Sequence, residues 1–565
     1  MTAAVARPHH LRKSDQRHED VVTAHQRLMS ILVIGALGVA AICVKLTAQT
    51  LAVWADGAPA LVSGLTGRAD IVDRNGQVLA RTIEARTVGV HPNRLLSKAE
   101  ELAPKLAALM PERTEAQYLA ILKSGKPFVY LRRRALPELV AQVNALGEPA
   151  MSYDPEPERL YPQITLAAHV LGYTDLDGRG IMGMERVLDH QLRDPVLKSA
   201  PVALSIDMRV QAAMESELSA AMADLQAMGA TGLVLDVNTG EIISMVSLPV
   251  FNPNNVGQAN PEALRNNVTQ SVYELGSIFK PLTMANAINS GVVTNLGRRY
   301  DATEPVAVGP FKIKDDHPQN RWLNVPEALV HSSNIVTAKV ADELGRERAE
   351  AFFTQMGFRE PPHVELKERG RTLWPASWGR ATTMTTAYGH GIAVTPLHLA
   401  SAYAAIVNGG VWRPATLVKV KKGKAAKGRQ VITPETSATV RKLLRVIVTD
   451  GTGKIANVPG YRVGGKTGTA EKPGAGGYNK HVNVSTFVGV FPMDAPRYVV
   501  IAMLDSPKGS ATSFGQTTAA YTAAPVVAKV IARTGPMLGV YPDQSVEAPI
   551  GDITPLLWKP KGERG

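Results

Sequence analysis

The sequence predicts an α+β fold in which helices surround an antiparallel sheet, and two pairs of strands carry that prediction. NVSTFVGVF (483–491) and RYVVIAMLD (497–505) are strongly apolar, and only the residues PMDAP separate them. Strands joined by so short a connection pair antiparallel. A second pair lies in ATGLVLDVNTGEIISMVSLP (230–249), where Asn238-Thr239-Gly240 predicts the turn.

Helical patterns between these strands complete the prediction. The stretches with helical periodicity are 208–228, 282–291, 334–345, 349–357 and 396–410. Helices segregated around an antiparallel sheet are typical of the α+β class.

The sequence divides into five regions. Residues 1–27 form a polar tail, 28–53 an apolar segment, 54–200 a first extracytoplasmic region, 201–540 the α+β domain and 541–565 a Pro-rich, flexible C-terminal tail. Within 54–200, Asp73-Arg74-Asn75-Gly76 predicts a turn between two strands, and residues 98–147 have helical patterns. Residues 151–200 are rich in proline and glycine.

The apolar segment predicts one transmembrane helix. Leu28 to Val44 carries no charge, Lys45 can extend its side chain to the interface, and Trp54 suits the far interface. Five Lys/Arg residues precede the segment, so the tail is expected in the cytoplasm and the remainder outside. The alternative is a cleaved signal peptide, but its candidate cleavage site at 58–60 contains a proline.

Composition excludes several classes of function. The only cysteine is Cys43, so neither an intramolecular disulfide nor CxxC chemistry is possible. No H-E-x-x-H motif or histidine-rich cluster occurs, so we expect no metal and no cofactor. The net charge of +12 is dispersed, and no aromatic-basic pattern accompanies it. We therefore expect no nucleic-acid partner.

Lys466 belongs to two motifs of unrelated chemistry. Gly460, Gly465, Lys466 and Thr467 fit the phosphate-binding loop G-x-x-x-x-G-K-[ST], whereas Lys466 also begins K-T-G. A phosphate loop needs a helix directly after the lysine, but TGTAEKPGAGGY follows it. The segment is therefore predicted to be a strand, whose glycines would let a ligand backbone lie close to it.

Two further motifs supply a candidate nucleophile and base. Ser277 and Lys280 form the only S-x-x-K of the chain, and residues three apart share one helix face. Burial and a neighbouring cation such as Lys466 would lower the pKa of Lys280 enough for it to act as a base. Ser332-Ser333-Asn334 lies between two helical segments, where the bland interpretation is a helix cap.

The order S-x-x-K, S-x-N, K-T-G is typical of penicillin-binding proteins and serine β-lactamases. Over nearly the whole chain after the tail, the sequence resembles a class B penicillin-binding protein of the septal FtsI type. The resemblance rests on GRADIVDRNGQVLA (67–80), ERLYPQITLAAHVLG (158–172), GMERVLD (183–189), DVNTGEIISMVSLPVFNPN (236–254), YELGSIFK (273–280), VTPLHLASAYA (394–404) and VGGKTGTAEK (463–472). Ala69 and Leu275 depart from the family pattern.

The resemblance implies a penicillin-binding transpeptidase domain on an elongated pedestal, residues 54–200. It also implies a role for each motif residue. Ser277 would attack the D-Ala-D-Ala bond of a stem peptide, and Lys280 would accept its proton. Ser332 with Lys466 would protonate the leaving D-alanine, and Asn334 would position the donor peptide. The substrate-binding residues would be Thr467, Gly468 and Thr469, of which the two threonines would bind the terminal carboxylate. The backbone N–H groups of Ser277 and Thr469 would form the oxyanion hole.

The implied partners are peptidoglycan stem peptides or their lipid-linked precursor, β-lactam antibiotics, the membrane, and division proteins. No glycosyltransferase domain fits before residue 200, so an FtsW-type membrane enzyme would polymerise the glycan. The implied location is the bacterial inner membrane at the septum, with the catalytic domain in the periplasm. An elongation-type transpeptidase, a β-lactam sensor, a β-lactamase and a non-enzymatic scaffold are the alternatives.

Overall fold

The structure is a computed structural model that describes residues 22, 27, 29–30, 32–33, 35–45, 67–197, 200–474 and 477–558. The chain divides into two compact units, Met1–Gly64 and Leu65–Gly565. In the first unit, residues 35–45 are helical. Within the described ranges, no helix has both the length and the apolar character that crossing a bilayer requires. The predicted span 28–53 lies partly outside those ranges.

The strands of the second unit form two main sheets and three small hairpin-like pairs. The strands are β1 Ile71–Val72, β2 Val78–Val90, β3 Val129–Ala135, β4 Met151–Ser152, β5 Pro155–Leu160, β6 Val202–Ala203, β7 Gly229–Asp236, β8 Ile242–Leu248, β9 Tyr300–Asp301, β10 Val306–Val308, β11 Phe311–Ile313, β12 Trp322–Leu323, β13 Val411–Trp412, β14 Arg429–Gln430, β15 Gly464–Gly474, β16 Gly477–Phe491 and β17 Tyr498–Asp505.

The helices alternate with these strands along the chain. They are α1 Ala99–Leu109, α2 Glu115–Leu122, α3 Pro137–Asn144, α4 Ala168–Leu171, α5 Gly183–Val187, α6 Asp189–Arg193, α7 Met208–Asp224, α8 Lys280–Asn289, α9 Val325–Val330, α10 Asn334–Leu344, α11 Arg346–Gln355, α12 Arg380–Thr386, α13 Pro396–Val407, α14 Pro434–Asp450 and α15 Ala523–Thr534. Every helix predicted in the α+β domain is present.

The central sheet has the strand order β15-β16-β17-β7-β8, and all its neighbours are antiparallel. Val484 pairs with Asp505 and Phe491 with Tyr498, which confirms the predicted hairpin. β7 and β8 form the second predicted pair. The antiparallel α+β prediction is therefore confirmed.

Two helical layers cover this sheet. Val499, Ile501 and their neighbours pack with α8, α13 and α14, whereas Val500 and Ala502 pack with α7 and α15. Successive side chains of a strand point to opposite faces, so the alternation within β17 assigns one core to each face. Because each fully buried Val or Leu contributes about 1.5–3 kcal/mol, the two cores hold the sheet between rigid layers. β15 is left at one edge of the sheet.

The N-terminal sheet is built around β2. β1, β3, β4 and β5 pair with it antiparallel, and β6 pairs parallel with β1. The predicted turn is present, since the Asp73 carboxylate accepts hydrogen bonds from the N–H groups of Asn75 (2.7 Å) and Gln77 (2.9 Å). Ile71 and Leu79 extend the core of the α+β domain into this sheet.

One element of the pedestal differs from the prediction. The three helices predicted within 98–147 are present as α1, α2 and α3, but the strand β3, which the sequence did not predict, lies between the last two. The residues of β3 are VYLRRRA. Its three consecutive arginines interrupt the alternation of apolar and polar residues by which a strand is recognised. Pairing of Gly89 with Tyr130 and of Val90 with Val129 holds the segment in the sheet.

A buried group of charges joins the pedestal motifs. The Glu185 carboxylate, which is fully buried, accepts hydrogen bonds from the side chains of Arg68 (2.9 Å) and Arg159 (2.7 Å). Arg68 also pairs with Asp189. Removing one partner of such a buried pair typically costs about 3–5 kcal/mol, because a charge is left uncompensated.

The C-terminal segment also differs from the prediction of a flexible tail at 541–565. As far as Trp558, it packs on the α+β domain: Ile553 is buried, Asn324 donates to the Leu556 carbonyl oxygen (2.7 Å), and the Trp558 N–H donates to Glu327 (3.0 Å). The contacts are single hydrogen bonds and isolated side chains, which leave no periodicity in the sequence. Residues 559–565 lie outside the described ranges.

Candidate active site

The S-x-x-K motif lies on a 3-10 turn, Gly276–Phe279, that continues into α8. Residues i and i+3 are eclipsed in a 3-10 turn, so Ser277 and Lys280 lie on one side, as predicted. Gly276 has φ +59°, a conformation that glycine adopts without strain, and Pro281 lies in the first turn of α8, where its missing N–H is not needed. The Tyr403 hydroxyl donates a hydrogen bond to the Ile278 carbonyl oxygen (2.8 Å), which helps to hold the turn in place.

Ser332 is the meeting point of the three motifs. Its hydroxyl oxygen accepts hydrogen bonds from Lys280 Nζ (3.1 Å) and Lys466 Nζ (2.9 Å). Lys280 Nζ also donates to the Ser332 carbonyl oxygen. Ser332 has φ +58°, a left-handed conformation that is uncommon for a residue with a side chain. Such strain persists only where the surroundings impose it, and here it places the hydroxyl between two amines.

Within the S-x-N motif, Ser333 is the helix cap, whereas the neighbouring Ser332 contacts the two lysines. The Ser333 hydroxyl accepts from the Val336 N–H (3.1 Å) and donates to the Asp315 carboxylate (2.8 Å). Asn334, half-buried at the start of α10, donates to the Lys314 carbonyl oxygen (2.9 Å). Because Ser333 provides the cap, the Ser332 hydroxyl is free to contact the lysines.

The K-T-G motif lies on β15, the edge strand of the central sheet. The sequence predicts that the glycines of β15 leave room for a ligand backbone. In the structure, other residues of the protein fill that space. A Cβ atom on Gly468 would lie 2.4 Å from Ile278 and 2.5 Å from the Leu275 carbonyl oxygen. The absence of a side chain at 468 therefore lets β15 pack directly on the S-x-x-K turn. On Gly276, a Cβ atom would lie 3.1 Å from the Thr469 carbonyl oxygen.

The two threonines of β15 differ in accessibility. Thr467 is buried, and its hydroxyl is 2.8 Å from that of Thr452 and 3.3 Å from Lys466 Nζ. Thr469 is exposed, and its hydroxyl accepts a hydrogen bond from the Ala519 N–H (3.1 Å). Thr469 is therefore the more accessible of the two predicted carboxylate ligands.

Burial sets the protonation of the two lysines. Both side chains are fully buried. Burial lowers the pKa of the Lys280 amine to about 7, although the carboxylates of Asp315 and Asp316 oppose the shift. Burial also lowers the pKa of Lys466, and the charge of Lys280 lowers it further. The pair therefore carries no more than one proton at neutral pH.

The hydrogen bonds of Lys280 could not be predicted from the sequence. In the described chain, the hydrogen bonds of the Lys280 side chain go to Ser332 rather than to Ser277. Ser277 is half-buried beside them. Catalytic hydrogen bonds are often formed only when substrate is bound, so this arrangement is compatible with a contact between Lys280 and Ser277 in the presence of substrate.

Three supporting groups were not found from the sequence. Asp315 orients the S-x-N segment, since it accepts from the Ile335 N–H (2.9 Å) in addition to Ser333. Tyr478 donates to Glu274 (2.7 Å), three residues before the nucleophile. Thr452 contacts Thr467. None of these residues belongs to a recognisable motif, and only the fold brings them together.

Two protein-family models match separate regions of the chain. A model of the penicillin binding protein transpeptidase domain matches residues 230–532. A model of the penicillin-binding protein dimerisation domain matches residues 65–194.

Individual relatives match most of the chain. It is 39% identical over 531 residues to the probable peptidoglycan D,D-transpeptidase FtsI of Caulobacter vibrioides, covering 91% of this chain and 89% of that protein. It is 28% identical over 474 residues to the peptidoglycan D,D-transpeptidase FtsI of Escherichia coli K12, covering 78% of this chain and 80% of that one.

A solved structure shares the fold. Penicillin binding protein 3 from Mycobacterium tuberculosis, complexed with aztreonam, superposes with a TM-score of 0.66 at 25% identity, covering 85% of this chain and 98% of that one. The two domain models, the order of the three motifs and the 39% identical relative lead to one conclusion: the chain belongs to the penicillin-binding proteins, as a class B member of the septal FtsI type.

Proposed function

We propose that this chain cross-links the stem peptides of septal peptidoglycan through an acyl-enzyme on Ser277. The observation that carries the proposal is the Ser332 hydroxyl, which two buried amines contact beside the S-x-x-K turn. A buried amine with a pKa near 7 can accept a proton at physiological pH, whereas an ordinary lysine cannot. The activity in the names of the FtsI relatives requires such a base.

In the acylation step, Ser277 Oγ attacks the carbonyl carbon of the D-Ala-D-Ala peptide bond. Its proton passes to the neutral amine of Lys280. The oxyanion of the tetrahedral intermediate accepts hydrogen bonds from the backbone N–H groups of Ser277 and Thr469. The close approach of Gly276 to Thr469 supports this assignment, because it holds the two backbone segments side by side. Removing one such donor typically costs about 2.7–4 kcal/mol.

In the second step, the C–N bond breaks and the departing D-alanine nitrogen takes a proton. Ser332 is the proposed donor, because its hydroxyl can receive a proton from either lysine as it gives one up. The ester on Ser277 remains until an amine of a neighbouring strand attacks it. The same sequence with a β-lactam leaves the leaving group tethered, which accounts for inhibition by such compounds.

Substrate binding is assigned to the residues around the edge strand. Thr469, which is exposed, and Thr467 would bind the terminal carboxylate, with Gly468 keeping the strand close to the nucleophile. Asn334 would hold an amide of the donor peptide. These roles follow from the motif positions and from the accessibility of the side chains.

The proposed location is the bacterial inner membrane, with the pedestal and the transpeptidase domain in the periplasm. The apolar side chains of Leu37, Val39 and Ile42 are exposed on the helical residues 35–45, which a lipid environment would cover. An FtsW-type glycosyltransferase and other division proteins are the proposed partners. The domain limits at 53/54, 200/201 and 540/541 remain predictions.

Replacement of the nucleophile tests the acyl-enzyme directly. We expect Ser277→Ala to abolish covalent labelling by a fluorescent penicillin, because no other hydroxyl takes its place. Ser290→Ala is the matched control, since Ser290 ends the same helical segment and its hydroxyl donates to the carbonyl oxygens of Asn286 (2.7 Å) and Ala287 (3.4 Å). Gel fluorescence of the purified variants gives the result, and stoichiometric labelling of Ser277→Ala would rule out the proposal.

The lowered pKa of Lys280 predicts a pH dependence of acylation. Below pH 7 the amine is protonated and cannot accept the Ser277 proton, so the rate should fall about tenfold per pH unit. Above pH 7 the rate should level off. Stopped-flow acylation rates across this range provide the measurement, with the final amount of adduct as control. A rate that is independent of pH between about 5.5 and 8.5 would contradict Lys280 as base.

The proposed anchor predicts a loss of membrane association when charges are introduced. Each arginine at the centre of a spanning helix costs about 2.5–3.5 kcal/mol, so Leu37→Arg/Val39→Arg should release the protein from carbonate-washed membranes. Leu96→Arg, at an exposed apolar residue of the second unit, should leave the protein in the membrane fraction. Equal membrane association of both variants would mean that residues 28–53 do not form the anchor.

A further inference from the structure

A cleft of about 470 Å³ lies in the pedestal, where β2, β3 and β5 meet the segments around 177 and 194. We call it the arginine cleft, because five arginines line it: Arg68, Arg133, Arg134, Arg159 and Arg193. None of them belongs to the three catalytic motifs. The proposed transpeptidase mechanism makes no use of this cleft.

The lining of the arginine cleft holds five arginines but only two carboxylates. Glu156 and Asp177 are the two carboxylates of the lining, and Glu185 and Asp189 lie behind it. Glu185 and Asp189 are already paired with the arginines of the floor. Among the described residues, the Arg134 side chain donates only to backbone carbonyl oxygens, those of Asp175 (3.2 Å) and Leu176 (3.0 Å). The Arg134 side chain therefore makes no hydrogen bond to a carboxylate in the described chain, although its charge interacts with that of Glu158.

Two guanidinium nitrogens at the cleft are buried without a hydrogen-bond partner in the described chain, Arg159 Nη2 and Arg134 Nε. The Arg159 residue is only 5% exposed. Leaving a buried donor unpaired typically costs about 1–3 kcal/mol, so each such atom needs an explanation. An anion held in the cleft would supply the missing hydrogen-bond acceptors.

The backbone of Arg134 adds a second cost. Arg134 has φ +53°, and its N–H donates to the Glu156 carboxylate (3.1 Å), which also pairs with Arg133. A left-handed residue with a long side chain is strained. The fold accepts this strain and thereby directs consecutive arginines of β3 to the same cleft, although successive residues of a regular strand face opposite sides.

The chemistry of the rim distinguishes a peptide from a simple anion. Guanidinium groups match carboxylates through paired N–H donors. Leu176 is exposed beside the arginines, Pro157 and Pro195 line the cleft, and Val196 follows as an exposed apolar residue. A free inorganic anion would contact only the arginines. A peptide that combines acidic and apolar side chains would cover both.

We propose that the arginine cleft binds an acidic, partly apolar peptide segment of a partner protein. Its acidic side chain would lie between Arg133, Arg134 and Arg193, and its apolar neighbours would cover Leu176. Recognition of acidic motifs by arginine clusters is a general mode of peptide binding.

The test uses the full-length protein in detergent and a fluorescein-labelled decapeptide of alternating glutamate and leucine. Fluorescence anisotropy at about 0.15 M salt measures binding, and the same peptide with glutamine for glutamate is the neutral probe. We expect the acidic probe to bind at least about tenfold more tightly than the neutral one. We also expect Arg133→Gln/Arg193→Gln to lose that preference.

Arg94→Gln/Arg132→Gln is the matched control, because it removes the same charge from two arginines outside the cleft, one of them adjacent on β3. It should bind the acidic probe like the unmodified protein. Penicillin labelling of every variant reports an intact fold and is expected to be unchanged. If Arg133→Gln/Arg193→Gln fails that check, Arg193→Gln alone replaces it. Its loss should disturb the fold little, because its hydrogen bond to Asp189 is long (3.5 Å).

Three outcomes would overturn the proposal. Equal loss of binding in the cleft and control variants would indicate a general charge effect. Retained binding in the cleft variant would place the peptide elsewhere. Displacement of the acidic probe by millimolar inorganic phosphate would reduce the cleft to a simple anion site. If instead the transpeptidase proposal were wrong, the unmodified protein itself would not be labelled by penicillin.

Discussion

The chemistry of this protein depends on one buried arrangement, in which the amines of Lys280 and Lys466 share the hydroxyl of Ser332. Two ammonium groups cannot both keep their protons in a site closed to water, so burial forces at least one amine to be neutral at physiological pH. A neutral amine is a base, and it becomes an acid once it has taken the Ser277 proton. The same contact therefore supplies the base and the acid that an acyl transfer needs, with a hydroxyl beside them to carry the proton.

The fold produces this arrangement by bringing a sheet edge, a turn and a loop together. β15 lies against the S-x-x-K turn because position 468 has no side chain. The loop between α9 and α10 turns through a left-handed residue, which points the Ser332 hydroxyl at both amines. Ser333 caps α10 and is itself held by Asp315. The central sheet between two helical layers keeps these three segments in place, so the strain at Ser332 is supported by the surrounding core.

Much of this could be predicted from the sequence, since apolar alternation and short connections located the central hairpin, and motif order identified the three site segments. What escaped prediction depends on long-range contacts. Arginines concealed β3, and the C-terminal segment to Trp558 packs through isolated contacts that leave no pattern. The motif spacing correctly placed Ser277 and Lys280 on one side of a turn. It could not show that Lys280 contacts Ser332, because that contact links residues far apart in the chain.

The most direct test of this account is the proton affinity of the Lys280 amine itself. The protein can be labelled with [6-¹³C]lysine and titrated by NMR, with the Lys280 resonance identified by its absence from Lys280→Ala. The account predicts that this resonance titrates near pH 7, far below the ordinary value of 10.5. A midpoint close to 10.5 would show a permanently charged amine, and the paired-lysine mechanism would then be untenable.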